Sequence, residues 1–316
     1  ACGALIEYLR ETQKHALRII DNVRFTKGGE TMMLDGAAIR NLELVRTIGD
    51  GKRRGSLLWL LDKTQTAMGA RMMTRLILNP RQNKEEIEER LRAVNELYEG
   101  TVVRLGIADT LKGIRDIERI AGKISNNNLT PRDCENLGAS LALLPNLRFQ
   151  LSGFTSAEIG RIVRGLGDFS AMAELLRSAF IENPPVNIKE GGYIRKGYSK
   201  ELDELRDIRD NGARMIAEME AEEREKTGIK NLKIKYNRVF GYTIEVTNSF
   251  LSKVPYSYQR RQTLAGAERY VTDELKAVEE KILTSSERSL RLEEELFGKI
   301  RETLADNIGG LKKLAG

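Results

Sequence analysis

The sequence predicts a mainly α fold: an elongated helical bundle with two long antiparallel helices and a small β-rich insert at their tip. Three observations lead to this prediction. Charged residues make up 31% of the chain, while aromatic residues make up 6% and prolines number only 6, a balance that favours helices. Apolar residues recur at helical spacing over most of the chain. Between residues 229 and 271 the pattern changes to alternation, which is typical of strands.

Residues 1–198 are predicted to form a helical core. Its first helix is expected to end near Ile20, and residues 23–34 to form a short hairpin or an extended loop. Capping patterns mark three later helix starts: Asn83 with Glu86, Thr130 before Pro131, and Thr155 with Glu158. The run of predicted helices ends at two adjacent prolines, residues 184 and 185, because neither can continue a helix.

Two long helices follow, over residues 199–228 and 272–316. Ser199 and Thr272 are the predicted N-caps, and Gly228 ends the first helix. The predicted seam of the first helix consists of Leu202, Leu205, Ile208, Gly212, Met215 and Met219. That of the second consists of Leu275, Val278, Ile282, Ser285, Ser289, Leu292, Leu296 and Ile300. Two arms of about 28–32 residues would each be roughly 40–50 Å long and would pair antiparallel.

The insert, residues 229–271, is predicted to contain a β hairpin with one apolar face. Apolar residues alternate with polar ones over 232–236 and 242–247, on either side of a turn at 237–241. Residues 263–265 and 269–271 are candidates for further strands. We expect four aromatic residues to form the small core of this module: Tyr236, Phe240, Tyr242 and Phe250.

The formal charge of +6 is concentrated in the same insert. Its basic residues are Lys230, Lys233, Lys235, Arg238, Lys253, Arg260, Arg261 and Arg269. Glu245 and Glu268 are its acidic residues, so the insert alone has a net charge of +6, and the 44 basic and 44 acidic residues elsewhere balance. An excess of this kind in one short segment predicts an acidic partner such as a nucleic acid.

Few residues are suited to catalysis. His15 is the single histidine. Cys134 lies near a predicted helix start, where the pKa of a thiol can fall, but no residue is a plausible general base for it. Residues 192–197 have the glycine spacing of a phosphate loop, and Ser199 matches its hydroxyl position. Tyr198 stands where the loop requires a lysine, so the motif fails at its charged position and we interpret this segment as a turn. No spacing of Cys and His suggests a metal site.

The composition also bears on localisation. No stretch approaches the ~18 consecutive apolar residues of a membrane span. Residues 1–17 carry charges through their apolar stripe, unlike a signal peptide. The two cysteines, Cys2 and Cys134, do not suggest a disulfide framework. We therefore expect a cytoplasmic protein without a membrane partner.

The insert has the groups that bind a DNA backbone. Residues 252–263 combine cations, hydroxyls and amides, which donate to phosphate oxygens without recognising base sequence. Lys233 and Lys235 lie on the polar face of the predicted hairpin and are expected to face the same backbone. Because these cations lie on strands and loops and not on a recognition helix, base recognition is not favoured.

Several motifs resemble the MutS family of DNA mismatch-recognition proteins, in particular its bacterial form. Residues 237–242 (NRVFGY), 244–248 (IEVTN), 260–264 (RRQTL) and 267–270 (AERY) are similar to the family's clamp. Residues 33–35, 40–44, 55–58, 61–64 and 66–71 are similar to its core domain. The resemblance covers essentially the whole chain.

The resemblance implies a core-plus-clamp segment, in which the long helices form a lever. Complete family members add a mismatch-reading domain, a connector and an ABC-type ATPase domain, none of which is found in this sequence. We therefore expect no enzymatic activity and no cofactor here, with ATP and Mg²⁺ used by the full-length protein. Implied partners are double-stranded DNA, a second subunit, MutL and the sliding clamp. The backbone contacts that the resemblance implies are Asn248, Lys253, Arg260, Arg261, Gln262 and Thr263.

Two positions depart from the family. Lys235 stands where the family often has glycine, and Gly266 where it often has asparagine. The insert therefore gains a cation and lacks a possible polar contact. Two other classes of function stay open: a coiled-coil-like protein-interaction scaffold with an incidental basic tip, and, less favoured, an isolated ATPase.

Overall fold

A computed structural model describes residues 2–12, 31–185, 187–237 and 239–316. The chain divides into two compact units: unit 1 comprises Ala1–Val186 and Lys299–Gly316, and unit 2 comprises Asn187–Gly298. The described part is mainly helical and contains one four-stranded antiparallel sheet, which confirms the predicted fold class at that level. No described helix is long and apolar enough to cross a lipid bilayer.

Unit 1 is built from helices of one to four turns. They are α1 (Cys2–Thr12), α2 (Gly36–Asn41), α3 (Leu57–Leu61), α4 (Ala67–Leu78), α5 (Lys84–Glu99), α6 (Thr101–Lys112), α7 (Ile117–Ser125), α8 (Pro131–Ala142), α9 (Leu144–Leu151), α10 (Ala157–Gly165) and α11 (Ser170–Ala179). After α12 (Lys200–Thr227) and α13 (Asp273–Asp306), α14 (Ile308–Ala315) completes the chain.

Two of the predicted helix starts are confirmed, and one is wrong. The Asn83 side chain accepts a hydrogen bond from the Glu86 amide, and Thr130 forms a capping box ahead of Pro131. In contrast, α10 begins at Ala157, and the Thr155 hydroxyl donates to the Glu96 carboxylate, 2.5 Å away. The competing partner is 59 residues distant in sequence, so local spacing could not reveal it.

The predicted N-terminal hairpin lies largely outside the described residues. The same is true of the predicted extension of the first helix to Ile20 and of His15. Thr31 forms an isolated antiparallel bridge with Arg81, and residues 32–34 are not in a strand.

The core of unit 1 includes the contact between α8 and α11. Leu137 and Leu176 are fully buried there, and an added Cβ on Gly138 would stand 2.8 Å from the Cβ of Leu176. Cys134 is also fully buried on α8, and burial raises the pKa of its thiol. The effect of burial on this thiol is therefore opposite to the lowering of the pKa that its position near a helix start suggested.

The caps predicted for α12 and α13 are confirmed. Ser199 and Thr272 accept from the amides of Leu202 and Leu275, and Gly228 ends α12 in the left-handed conformation, at φ +66°. α13 has 34 residues, more than the 28–32 predicted. At ~1.5 Å per residue, α12 and α13 are about 42 Å and 51 Å long.

The seams predicted for these helices are correct in part. Ser285 and Ser289 are buried on α13 as predicted, but the seam continues through Glu293 and Phe297 and not through the neighbouring leucines 292 and 296. On α12, Ile216 is buried beside the predicted Met215. The buried positions of α13 are therefore four residues apart from Ser285 to Phe297, after which the predicted Ile300 is buried again. The apolar side chains of the two leucines led to the wrong positions in this stretch.

The sheet has the strand order β1–β2–β4–β3. The strands are β1 (Lys233–Asn237), β2 (Gly241–Thr247), β3 (Gln259–Thr263) and β4 (Ala267–Val271), all antiparallel, with a 3-10 helix (Asn248–Lys253) after β2. Its core is shared with both long helices, because Ile216 of α12 and Leu275 of α13 belong to the same buried cluster as Ile244 and Val246. Apolar packing against the helices therefore stabilises the sheet.

Candidate nucleic-acid interface

The predicted site residues lie on the two edge strands of the sheet and on the 3-10 helix. Lys233 and Lys235 are on β1; Arg260, Arg261, Gln262 and Thr263 are on β3; Asn248 and Lys253 are at the ends of the 3-10 helix. With neighbouring strands ~4.8 Å apart, the two edge strands are separated by about 14 Å. The structure thus places the predicted residues on one module but not in one cluster.

A row of hydrogen-bonded side chains crosses all four strands. We call Lys235, Glu245, Arg269 and Gln262 the polar row. Lys235 Nζ donates to Glu245 Oε1 at 2.7 Å, Arg269 Nε and Nη2 lie 3.4 Å from Glu245 Oε2, and Arg269 Nη1 donates to Gln262 Oε1 at 2.8 Å. The hydrogen bond from Lys235 holds the pKa of Glu245 below its usual range, so this carboxylate is charged at neutral pH.

A β-bulge sends Arg260 and Gln262 to opposite faces of the sheet. Arg260 pairs with Tyr270 and Gln262 with Arg269, which leaves Arg261 as the extra residue. Arg260 accordingly forms an ion pair with Glu268 at 3.3 Å, away from the polar row. Simple alternation would have put Arg260 and Gln262 on the same face.

Glu268 also binds the hydroxyl of Tyr270. Burial, together with this hydrogen bond, raises the pKa of Tyr270 to about 12. Glu268 is only 12% exposed, whereas its partner Arg260 is 63% exposed. Arg260 is therefore accessible to solvent, but part of its charge is compensated within the sheet.

Four exposed cations of the module form no ion pair with a residue that the structure describes: Lys230, Lys233, Lys253 and Arg261. Lys253 Nζ lies 5.9 Å from the ring centroid of Phe250, at cation–π range. These four are the side chains most available to an external anion. Lys230 was counted in the charge of the segment but was not among the predicted contacts, and Arg238 lies outside the described residues.

Asn248 braces the turn between β3 and β4. Its amide donates to the Gly266 carbonyl at 3.2 Å, and its side chain donates to the Ala265 carbonyl at 3.4 Å. A Cβ added to Gly266 would meet nothing within 4 Å. The Cβ of a larger residue at position 266 would therefore meet no steric conflict.

The prediction of an aromatic core was wrong for two of the four residues. Tyr236 and Phe240 are 56% and 41% exposed, whereas Tyr242 and Phe250 are partly buried against the core. The buried rings are instead those of Tyr258 and Tyr270, 5.9 Å apart. The prediction assumed that the insert has a core of its own. Apolar residues of α12 and α13 instead cover the sheet, so the rings of Tyr236 and Phe240 are not needed there.

Charged residues of α12 fix the start of the sheet. Glu220 accepts from the Ile234 amide at 2.7 Å, Arg224 donates to the Leu232 carbonyl at 2.7 Å, and these two side chains also form an ion pair. A pair at i and i+4 looks like a solvated helix surface in sequence, so these residues were not predicted to have a role. Their partners lie on β1 and just before it.

The β1–β2 turn is fixed against α13. Gly241 has φ +73°, and an added Cβ would collide with Glu279 Oε1. The amide of Tyr242 donates to the same oxygen at 3.2 Å. The left-handed backbone conformation therefore favours glycine at 241, and a larger residue would also displace the Glu279 carboxylate from the Tyr242 amide.

The glycine-rich segment 192–197 binds a carboxylate of the chain itself. The amides of Gly192 and Ile194 donate to the two oxygens of Glu293, both at 2.8 Å, and Arg206 Nη2 donates to Glu293 Oε1 at 2.7 Å. The turn predicted for residues 192–197 is confirmed only at the end of that segment, where the Tyr198 amide donates to the Arg195 carbonyl at 3.2 Å. Amides that would hold phosphate in a nucleotide-binding loop are thus engaged by Glu293.

Comparisons with known proteins agree with the motifs. Residues 37–316 match the family model described as MutS domain III. The chain is 42% identical over 315 residues to the DNA mismatch repair protein MutS of Lachnoclostridium phytofermentans, and 44% identical over 316 residues to that of Pelotomaculum thermopropionicum. Both alignments cover 100% of this chain but only 34% and 37% of the relatives, so the chain spans about a third of their length. The chain belongs to the MutS domain III family.

Proposed function

We propose that the four-stranded sheet binds the backbone of duplex DNA without sequence preference, as part of a mismatch-repair protein. The observation that carries this proposal is the net charge of +6 confined to residues 229–271. The exposed cations Lys233, Lys253 and Arg261 support it, because they have no ion pair with a described residue. The names of the relatives supply the mismatch-repair context.

The ion pairs of the sheet reduce the number of phosphates that it is expected to bind. Lys235, Arg260 and Arg269 have carboxylate partners, which leaves four exposed cations without an ion pair to a described residue. Each phosphate neutralised contributes ~0.9 to the slope of log affinity against log salt, so we expect a slope of about −3.6 if all four bind. Binding should thus be weak and should fall steeply with salt.

Fluorescence anisotropy with a labelled duplex tests the proposal. Replacing Lys233, Lys253 and Arg261 together by glutamine is expected to abolish most binding and to flatten the salt slope by roughly 2.7. A matched variant replaces three exposed cations of the long helices, Lys200, Lys281 and Arg291, by glutamine and should bind like the unmodified protein. Equal loss in both variants, or no loss in either, would contradict the assigned surface. Mismatched and matched duplexes should bind equally.

In the complete protein, we assign to α12 and α13 the transmission of changes between the sheet and an ATPase domain that uses ATP and Mg²⁺. The family also points to a second subunit, MutL and the sliding clamp as partners. ATP hydrolysis by the full-length protein, with and without duplex, tests the coupling. The triple glutamine variant is expected to lose the effect of duplex on the rate while it retains the rate without DNA.

One observation favours a second role in protein–protein contact. On α5, four apolar side chains with coiled-coil spacing are exposed to solvent by 39–72%: Ile87, Leu91, Val94 and Tyr98. Light scattering of the chain over a range of concentrations tests this role. Self-association that is lost on replacing Leu91 and Val94 by serine would support it, and a monomer at all concentrations would count against self-association.

A further inference from the structure

We infer that Glu245 weakens the binding of DNA phosphates by holding Lys235 and Arg269 in ion pairs across the sheet. The inference rests on the proposed function of the sheet and concerns how strongly it binds. Glu245 lies on β2, directly opposite Lys233 on β1 and Arg269 on β4, and its Oε1 accepts from Lys235 two positions further along β1. Its carboxylate thus stands among three cations on one face.

The Glu245 carboxylate has the chemistry of the anion that the cations would otherwise bind. Phosphate and carboxylate oxygens accept from ammonium and guanidinium groups in the same way. One oxygen of Glu245 contacts Lys235 at 2.7 Å and the other faces Arg269 at 3.4 Å, so a single anion bridges β1 and β4. A phosphate approaching either cation must displace this carboxylate or bind beside a like charge.

Accessibility decides which ion pair matters. The side chain of Lys235 is 51% exposed, so an external phosphate can reach its ammonium group. Arg269 is 18% exposed and also donates to Gln262, so it is held more firmly than Lys235. Releasing the carboxylate is therefore expected to free Lys235 fully and Arg269 in part.

The other acidic residue of the module does not have this position. Glu268 pairs with Arg260 and accepts from the Tyr270 hydroxyl, on the face opposite the polar row. Replacing Glu268 would leave the Tyr270 hydroxyl without its hydrogen-bond acceptor. Glu245 is thus the acidic residue of the module that can attenuate binding on the face that carries Lys233 and Lys235.

The substitution Glu245→Gln tests the inference. Glutamine retains the size of the side chain and one acceptor oxygen but removes the charge. We expect tighter duplex binding at low salt and a salt slope steeper by up to about 1.8, or ~0.9 for each freed cation. On that slope, the advantage over the unmodified protein should shrink about tenfold between 50 and 200 mM salt.

Glu280→Gln is the matched control for net charge. Glu280 is exposed on α13 of the same unit and has no ion pair with a described residue. If Glu245→Gln gains no more affinity or slope than Glu280→Gln, or binds more weakly than the unmodified protein, the inference is overturned. In a Lys235→Gln background the gain from Glu245→Gln should fall by about half, as expected for coupled residues.

The failure of this inference is distinguishable from the failure of the proposed function. If the Lys233, Lys253 and Arg261 variant binds duplex as well as the unmodified protein does, the proposed surface fails. Salt elution from heparin, a sulfated polymer, then decides the role of Glu245 without DNA. Later elution of Glu245→Gln than of Glu280→Gln would still support sequestered cations, and equal elution would overturn the inference.

Discussion

The two long helices of unit 2 are joined by apolar packing near the sheet and by a buried ion pair further along. Near the sheet, Ile216 of α12 and Leu275 of α13 belong to one apolar cluster. Further along, Arg206 of α12 binds Glu293 of α13, and these side chains are only 13% and 2% exposed. Between these two regions, Gly212 of α12 lies beside Ile282 of α13. Residue numbers thus fall along α12 as they rise along α13, so the two helices run in opposite directions.

These two regions contribute different properties to the fold. Apolar burial is non-directional and tolerates small shifts of one helix along the other. A buried carboxylate is stable only when all its partners are in place, because removing one of them leaves an uncompensated charge or dipole. We therefore expect the apolar region to supply stability, and Glu293 to fix the register between α12, α13 and residues 191–194.

The largest expected effect comes from breaking the buried ion pair. Glu293→Ala leaves Arg206 and the amides of Gly192 and Ile194 without their acceptor, and should reduce the free energy of unfolding by about 3–5 kcal/mol. Thermal and urea denaturation of the whole chain measure it. The control is Glu294→Ala, which removes an exposed carboxylate one residue along α13 and should change stability by less than about 0.5 kcal/mol.

A small carboxylate should restore part of this loss. Sodium formate can place its two oxygens where those of Glu293 stood, and we expect it to raise the melting temperature of Glu293→Ala more than that of Glu294→Ala. Sodium chloride at equal ionic strength controls for screening. The same response in both variants would show that the amides of the glycine segment do not form a specific anion site.

The apolar region should show a smaller loss and no response to anions. Leu275 is fully buried, and Leu275→Ala is expected to cost about 3 kcal/mol, through lost burial and the cavity that remains. Leu283 is 47% exposed on the same helix, so Leu283→Ala is the control and should cost less than about 1 kcal/mol. Equal melting temperatures for the two variants would contradict the shared core.

The sequence predicted the ends of the two long helices much better than the ion pair between them. Ser199, Thr272 and Gly228 were identified as helix ends because capping depends on residues that are close in sequence. Glu293 was missed because an acidic residue on a helix usually faces solvent. Its burial depends on amides about 100 residues earlier in the chain, and no local pattern carries that information.

The same limit applies to the candidate interface. Charge counting found the segment, since it needs no knowledge of pairing, but it could not separate free cations from those with partners. The bulge at Arg261 depends on how β3 pairs with β4, and it puts Arg260 with Glu268 instead of beside Gln262. Glu245 was counted as one negative charge, whereas its contacts to two cations follow only from the register of three strands.

The smallest expected effect compares the same substitution at two glycines of the helix pair. An alanine Cβ at Gly298 would meet nothing within 4 Å, so Gly298→Ala should stabilise the chain by up to about 1 kcal/mol through helix propensity. At Gly212 the Cβ would stand 2.9 Å from Ile282. The resulting overpacking should outweigh the gain in helix propensity, so Gly212→Ala is expected to lower the free energy of unfolding by about 1 kcal/mol. Opposite shifts in melting temperature are therefore expected. If both variants melt higher by a similar amount, α12 and α13 are not in close contact at Gly212.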